Sequence, residues 1–262
     1  MSLLLSWAAF AALGQPPPVD LVRDVTLEQK LDAELPFDLA FTDEEGRQVS
    51  LRETARGRPA VLALVYYDCP MLCTMVLDGL VSALKVLKLV PGKDFEVVAL
   101  SIDPREGPTE ARKERTSILN RYGRLDAKDG FHFLTGKEQD IRAVADAIGF
   151  RYAFDEKLGQ YAHAAGITVI TPAGRVARYF YGIEYPPKDL RLALVEASEG
   201  KIGSLADALL LYCYHYDPTT GRYGLVIMNV IRLAGFFTVG VLGLLIGGYL
   251  AREKRALKAQ EV

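Results

Sequence analysis

The fold of this chain is decided around the stretch Tyr66-Tyr67-Asp68-Cys69-Pro70-Met71-Leu72-Cys73-Thr74. An apolar run at residues 61–65 leads into it, and an apolar-periodic segment at residues 71–89 follows it. The pattern predicts a buried strand that passes into a helix. Cys69 and Cys73 therefore lie at a strand–helix junction, where a helix N-terminus has free N–H groups and favours negative charge.

The two cysteines have the spacing of one helical turn. Side chains four residues apart lie on the same face of a helix, so both sulfurs can hold one metal ion or close a disulfide. A thiol at a helix N-terminus ionises readily, and its thiolate attacks disulfides or binds soft metals. The alternative is a pair of buried cysteines that act as small hydrophobic residues.

Composition limits the classes of function. The chain has 262 residues, of which 50% are apolar and 24% are charged, with a formal net charge of −2. This is ordinary for a globular domain with a membrane segment, and nothing in the charge favours binding to nucleic acid. Three cysteines are too few for a disulfide scaffold and suit a redox or metal site.

The N-terminal end has the pattern of a secretory signal. Residues 3–13 are apolar, and Ala12-Leu13-Gly14 places small residues before Gln15, as at a cleavage site. The sequence predicts a signal peptide at residues 1–14, although no Lys or Arg precedes the apolar run. An uncleaved apolar N-terminus is the alternative.

The C-terminal end predicts a membrane span. Residues 233–251 contain no charged side chain, and the apolar character begins near residue 225. This length can cross a hydrocarbon core of roughly 30 Å. The cations that follow the span place the tail in the cytoplasm by the positive-inside rule: Arg252, Lys254, Arg255 and Lys258. The main domain is then expected on the outer side of the cytoplasmic membrane, with a single pass.

The hydrophobic pattern predicts an α/β fold. We expect strands at residues 37–41, 49–51, 60–67, 95–102, 131–134, 167–171 and 176–181, and helices at residues 71–89, 109–122, 137–148 and 189–197. This order is typical of a mixed sheet flanked by helices, with an antiparallel hairpin near its end. The predicted organisation is a signal peptide (1–14), a lead-in (15–34), a thioredoxin-like domain (35–200), a membrane-proximal segment (201–224), a transmembrane helix (225–251) and a tail (252–262).

His163 is the third element of the predicted site. A strand, a cysteine pair at a helix start and a mixed sheet make a thioredoxin-like plan, although the pair here is C-x-x-x-C. In such a sheet the loop before the strand at 167–171, which contains His163, lies beside the cysteine-bearing turn. Two thiolates and one imidazole suit Cu(I), and Cu(II) with some strain. Zinc is also possible, but a structural zinc site normally has four protein ligands. The alternative for His163 is a packing role.

At this point the sequence resembles the Sco/SenC family of thioredoxin-fold copper chaperones for cytochrome c oxidase. The resemblance lies in residues 67–73, in Ser101-Ile102-Asp103-Pro104 and in His163, within a region from about residue 35 to residue 197. It implies that Cys69, Cys73 and His163 are copper ligands. Members of the family usually have Asp where this chain has Met71, and Pro where it has Thr74. Their usual anchor is N-terminal.

Five other residues are candidates for the site or for structure. Asp68 either caps the turn, which we favour, or tunes a thiol. Asp103 resembles an acidic residue that borders the family's site, or is a solvated turn residue. His132 lies in a short strand and is expected to be structural. Cys213 and His215 face the same way in an extended segment and could share a metal, or Cys213 could be inert.

Three functions follow from these residues. The first is a membrane-tethered metallochaperone that carries copper, as Cu(I) or Cu(II), to cytochrome c oxidase subunit II or a related copper protein. The second is a thiol:disulfide oxidoreductase in which Cys69 and Cys73 are a redox pair and His163 is not needed. The third is a structural assembly factor whose surface matters more than its thiols.

Overall fold

The computed structural model describes residues 25–68, 72–156 and 158–202, and then residues 216–217, 222–223, 232–233, 235–243 and 246. At residues 72–74, 125, 216–217 and 222–223 only the backbone is described. The chain divides into two compact units, Met1–Gly203 and Ser204–Val262. The first unit contains the α/β domain.

The strands and helices of the first unit have the following bounds, in chain order. Its strands are β1 (Ala40–Thr42), β2 (Gln48–Ser50), β3 (Ala60–Val65), β4 (Glu96–Ser101), β5 (Phe131–Leu134), β6 (Tyr152–Asp155), β7 (Gln160–His163), β8 (Gly166–Ile170) and β9 (Val176–Tyr181). Its helices are α1 (Leu51–Ala55), α2 (Leu72–Lys85), α3 (Pro108–Tyr122), α4 (Glu138–Ala147) and α5 (Pro187–Ser198), with a 3₁₀ turn at Leu125–Gly130.

A mixed five-stranded sheet forms the centre of this unit. Its strand order is β5-β4-β3-β8-β9. Strand β3 pairs in parallel with β4 and antiparallel with β8, while β5 is parallel to β4 and β9 is antiparallel to β8. Every residue of β3 and β4 is buried, as expected for central strands that are covered on both faces. The predicted mixed α/β sheet and its late hairpin are confirmed.

The lead-in packs against the sheet over the part that the structure describes. Leu27 forms a bridge with Phe150, and Glu34 forms a bridge with Arg175. The backbone N–H of Lys30 donates a hydrogen bond of 3.0 Å to the hydroxyl of Tyr179. Residues 25–34 therefore belong physically to the same packed unit as the sheet.

Several observed elements differ from the predicted ones, and three differences bear on the fold. The second strand of the first hairpin ends at Ser50, because Ser50 and Glu53 form a capping box that starts α1 at Leu51. The helix after the cysteines ends at Lys85 and not near residue 89. The hairpin β6–β7 was not predicted. Strands 131–134 and 176–181 have the predicted bounds.

The second unit is described in short stretches. Tyr216–Asp217 and Arg222–Tyr223 form an antiparallel pair, and residues 232–233, 235–243 and 246 are helical. Across the part of the chain that the structure describes, no helix is both long and apolar enough to cross a membrane. Most of the predicted span at 225–251 and all of the predicted signal at 1–14 lie outside that part.

Helix α2 approaches the chain after β9 so closely that it needs a glycine. A methyl group at Gly79 would lie 1.8 Å from the carbonyl oxygen of Ile183. We expect Gly79→Ala to lower the free energy of unfolding by about 1–3 kcal/mol, the usual range for an overpacked contact. Urea unfolding of the full-length chain measures this. Ser82→Ala, at an exposed position of the same helix, is the control. Equal stability of the two variants would contradict the close approach.

Candidate metal centre

Three segments meet at one end of the sheet because of strand direction. The parallel register places Val65 opposite Ser101, so the chain leaves β3 and β4 at the same end. Strand β8 runs the other way beside β3, and therefore begins at that end. The residues after β3, the loop after β4 and the residues before β8 are thus brought together, as the thioredoxin-like plan predicts.

We call residues 66–71, between β3 and α2, the cysteine loop; residues 66–68 of it are described, and its sequence includes the first predicted thiol. Cys69 lies outside the described residues. Cys73 is the second residue of α2, and its side chain is not described. The loop begins with a firm anchor, because the hydroxyl of buried Tyr67 lies 2.9 Å from the carbonyl oxygen of Ala99 and 2.8 Å from that of Leu134. Burial raises the pKa of Tyr67 well above its ordinary value, so it stays a neutral donor.

Glu106 binds the same loop from the other side. Its carboxylate accepts hydrogen bonds from the backbone N–H of Tyr67 at 2.8 Å and of Asp68 at 2.7 Å. The hydroxyl of Ser101 donates a third. Burial raises the pKa of Glu106, and this effect exceeds the opposing effect of the three hydrogen bonds. The result is a half-buried carboxyl group fixed directly beside the residue that precedes Cys69.

Asp103 and Arg105 join the loop after β4 to the hairpin β6–β7. The buried carboxylate of Asp103 accepts bonds from the guanidinium of Arg105 at 2.6–3.1 Å, which raises the pKa of Arg105. The same guanidinium lies 4.9 Å from the ring centre of Phe154 and 5.8 Å from that of Tyr161. These are cation–π distances. Arg105 therefore holds the strand that ends in His163.

His163 lies at the end of β7 and is buried, with 7% of its surface exposed. Its ring centre lies 6.0 Å from that of Tyr66 and 5.9 Å from that of Phe150. Its Nδ1 lies 2.9 Å from the carbonyl oxygen of Ala164. Since a carbonyl oxygen can only accept, Nδ1 carries a hydrogen and donates it. Histidines that bind a metal usually donate one ring N–H to a carbonyl in this way.

An open cavity of about 490 Å³ borders these residues. Tyr66 and Asp68 line it from the loop after β3, Asp103, Arg105, Glu106 and Glu110 line it from the loop after β4 and the start of α3, and residues 158–160 line it from the β6–β7 turn. Its wall is mainly charged, and Leu158 at its rim is 71% exposed. The end of the sheet is thus accessible from solvent.

The other candidates are placed as follows. Asp68 is exposed and pairs with Lys113 at 3.6 Å. Asp103 is buried and lines the cavity, and so is not a solvated turn residue.

His132 donates or accepts a bond of 2.9 Å with the fully buried Glu96, in agreement with a structural role. Cys213 and His215 lie outside the described residues.

Sequence reasoning missed Glu106 and the aromatic hairpin. Glu106 follows the predicted strand 95–102, and parallel neighbours end together, so its nearness to the cysteine loop was available from topology. The hairpin was hidden because Tyr152, Phe154 and Tyr161 alternate over only four residues in each strand. Short strands of this kind give a weak periodic signal.

The described residues contain no group of three or more His, Cys, Asp or Glu side chains arranged to hold a metal ion. A centre formed by Cys69, Cys73 and His163 needs the sulfur atoms of both cysteines, and the structure describes neither sulfur. The donor set itself, two thiolates and one imidazole, fits a soft ion such as Cu(I).

The fold and this end of the sheet define a thioredoxin-like domain that has a cysteine-bearing loop beside a buried histidine. A family model described as SCO1/SenC matches residues 26–197, which is more than half of the chain. The chain therefore belongs to the SCO1/SenC family, and the resemblance seen in the sequence is confirmed. No curated protein matches the sequence.

Solved structures share the fold. A proposed electron transfer protein from Aquifex aeolicus VF5 is 24% identical, with a TM-score of 0.57 over 66% of this chain and 96% of that one. Arabidopsis thaliana ScoI, solved with copper bound, is 17% identical, with a TM-score of 0.50 over 65% and 99%. BsSco, a member of the Sco family of cytochrome c oxidase assembly proteins in which a disulfide switch was identified, is 20% identical, with a TM-score of 0.50 over 67% and 100%.

The contact of Arg105 with the hairpin generates a prediction. Arg105→Met keeps much of the side-chain volume but removes both the ion pair with Asp103 and the charge over Phe154 and Tyr161. We expect faster amide hydrogen exchange in β6 and β7, because the hairpin loses the cation over its aromatic rings. We also expect a lower free energy of unfolding, because the buried carboxylate of Asp103 loses its charged partner. Hydrogen exchange read by mass spectrometry measures this.

Arg151→Met is the matched control for that exchange experiment. Arg151 is an exposed cation next to β6 that pairs only distantly, at 3.7 Å, with Glu28. It should leave the exchange of β7 unchanged. Equal exchange in the two variants would show that Arg105 does not hold the hairpin.

Proposed function

We propose that this protein is a copper-binding metallochaperone that helps to assemble the copper site of cytochrome c oxidase subunit II or of a related copper protein. Copper is its cargo, held by the thiolates of Cys69 and Cys73 and by the imidazole of His163. The protein is tethered to the cytoplasmic membrane by a single C-terminal span, with its thioredoxin-like domain on the outer side.

The geometry of His163 is the observation that carries the proposal. The ring is buried, and its Nδ1 lies 2.9 Å from the carbonyl oxygen of Ala164, which fixes the orientation of the ring. The ring contacts Tyr66, the residue that opens the cysteine loop. A histidine that binds a metal through one nitrogen usually donates the other ring N–H to such an acceptor.

Cys73 and Cys69 would supply the other two donors. Cys73 lies in the first turn of α2, and free N–H groups at a helix N-terminus favour a thiolate over a thiol. Cys69 precedes Cys73 by four residues in the sequence. Copper held by thiolates and an imidazole can pass to cysteines and histidines of a partner by exchange of like ligands, with no change of oxidation state.

Two of the solved structures that share the fold support this proposal. Arabidopsis thaliana ScoI was solved with copper bound, and BsSco belongs to a family of cytochrome c oxidase assembly proteins. Family membership extends the same expectation to this chain. The disulfide switch of BsSco favours a second candidate, a thiol:disulfide oxidoreductase that keeps extracytoplasmic cysteines reduced through the pair Cys69 and Cys73.

Substitution of His163 separates the two functions. Cu(II) prefers nitrogen and oxygen ligands, so His163→Ala should remove most Cu(II) binding and its thiolate charge-transfer band, while two thiolates retain part of the Cu(I) binding. Visible absorption and metal analysis of the full-length chain measure both. The oxidoreductase alternative predicts no such band in either protein and equal rates of disulfide reduction.

His132→Gln is the control for loss of an imidazole, because it retains a hydrogen-bonding partner for the buried Glu96. It should bind copper like the wild type. A Cu(II) spectrum that is unchanged in His163→Ala would show that His163 is not a ligand. Absence of copper binding in the double variant Cys69→Ser, Cys73→Ser is expected under the chaperone proposal, and full binding there would refute it.

The membrane arrangement has its own test. The apolar segment at 225–251 is followed by four cations, which predicts that the tail faces the cytoplasm. A reporter that is active only in the cytoplasm should therefore be active when fused after Val262. Its silence, together with activity of a periplasmic reporter at the same position, would reverse the proposed orientation.

A further inference from the structure

Two backbone N–H groups lie just beyond the last hydrogen bond between β3 and β4, and each needs an acceptor. The N–H of Ile102 donates to the carbonyl of Val65 at 2.7 Å, and there the regular pairing of β3 with β4 ends. The next helix begins only at Leu72. The N–H groups of Tyr67 and Asp68 lie between these two elements, so their acceptor must come from outside the strand and helix ladders.

Glu106 supplies that acceptor with both of its oxygens. Oε2 accepts from Tyr67 and Oε1 accepts from Asp68, so one carboxylate spans two consecutive peptide groups. The hydroxyl of Ser101, at the end of β4, donates to the same carboxylate and fixes it from below. Bonds from backbone N–H to a charged acceptor are stronger than neutral ones. The peptide groups that carry the N–H of Tyr67 and the N–H of Asp68 are therefore oriented by a residue of a different loop.

Glu106 is not needed for the helix that follows it. The N-terminus of α3 is served by Glu110, whose carboxylate accepts the N–H of Gly107 at 2.9 Å. Both acids line the same cavity, but only Glu106 contacts the cysteine loop. The chain thus contains two neighbouring glutamates of which one serves the helix and the other serves the loop.

We propose that Glu106 is a positioning residue, which fixes the backbone of Tyr67 and Asp68 and so orients the chain that enters Cys69, one of the proposed copper ligands. This inference rests on the proposed function for its copper readout. The two charge-assisted hydrogen bonds order the loop whatever cargo the protein carries. The effect is on the geometry of the site, and the carboxylate itself is not a ligand.

The test compares Glu106→Gln with Glu110→Gln in the full-length chain. Each substitution removes one acidic group from the same cavity, so a purely electrostatic effect on copper is matched. A glutamine at 106 keeps one acceptor and turns an NH₂ donor toward a second N–H donor. We expect Cu(I) affinity, measured by competition with a chromophoric chelator, to fall by about tenfold or more in Glu106→Gln, the range for lost outer-shell partners.

Two further measurements separate positioning from a general loss of stability and from failure of the copper proposal. The equilibrium constant for forming the Cys69–Cys73 disulfide against glutathione should fall about tenfold in Glu106→Gln, because a disulfide needs both thiols in a narrow geometry. It should stay within about twofold in Glu110→Gln, which leaves the loop bonded. This readout applies whether or not the wild type binds copper.

Amide hydrogen exchange of the wild type completes the test. The amides of Tyr67 and Asp68 should be protected, and Glu106→Asp, which keeps the charge but is shorter, should reduce that protection. Rapid exchange of both amides in the wild type would overturn the inference, even if Glu106→Gln failed to fold. Equal disulfide constants and equal copper affinities in Glu106→Gln and Glu110→Gln would also overturn it. If the wild type does not bind copper, but the disulfide constants and the amide exchange are as expected, only the proposed function is refuted.

Discussion

Pairing of the buried strand β3 with a parallel neighbour on one side and an antiparallel neighbour on the other is the constraint on which this site depends. The parallel pairing with β4 brings Tyr66–Asp68 beside the residues that follow Ser101. The antiparallel pairing with β8 brings His163 to the same end. No local preference of any of these three segments would place them together. The register of a fully buried strand does so, because a slip by one residue would exchange its buried faces.

Polar side chains then complete what the strands begin. Tyr67 binds two backbone carbonyls beneath the loop, and Glu106 binds two backbone N–H groups above it. Arg105 connects Asp103 to the hairpin that carries His163. The loop and the hairpin are thus held separately, each by a residue from the segment after β4. This segment is therefore the support of the candidate metal centre, although it contributes no proposed ligand.

Much of the fold followed from sequence because its signals are local. Continuous apolar runs predicted the buried strands, and the bounds of Phe131–Leu134 and Val176–Tyr181 were correct. The short helix after Ser50 was missed although its capping box is visible in the sequence. The hairpin β6–β7 was missed for a different reason. Its strands of four residues are stabilised by aromatic contacts with Tyr66 and by Arg105, which come from distant parts of the chain.

The sequence by itself indicated the family, the cysteine pair at a strand–helix junction and His163 as the candidate third donor, since these depend on residue identity and spacing. Which nitrogen of His163 faces the carbonyl of Ala164, and which acid supports the loop, were decided by tertiary structure. Asp103 and Glu106 are both acids after the same strand, and nothing in their order along the chain assigns one to Arg105 and the other to the backbone of Tyr67 and Asp68. That assignment depends on distances across the sheet end, which exist only after β3, β4 and β8 have paired.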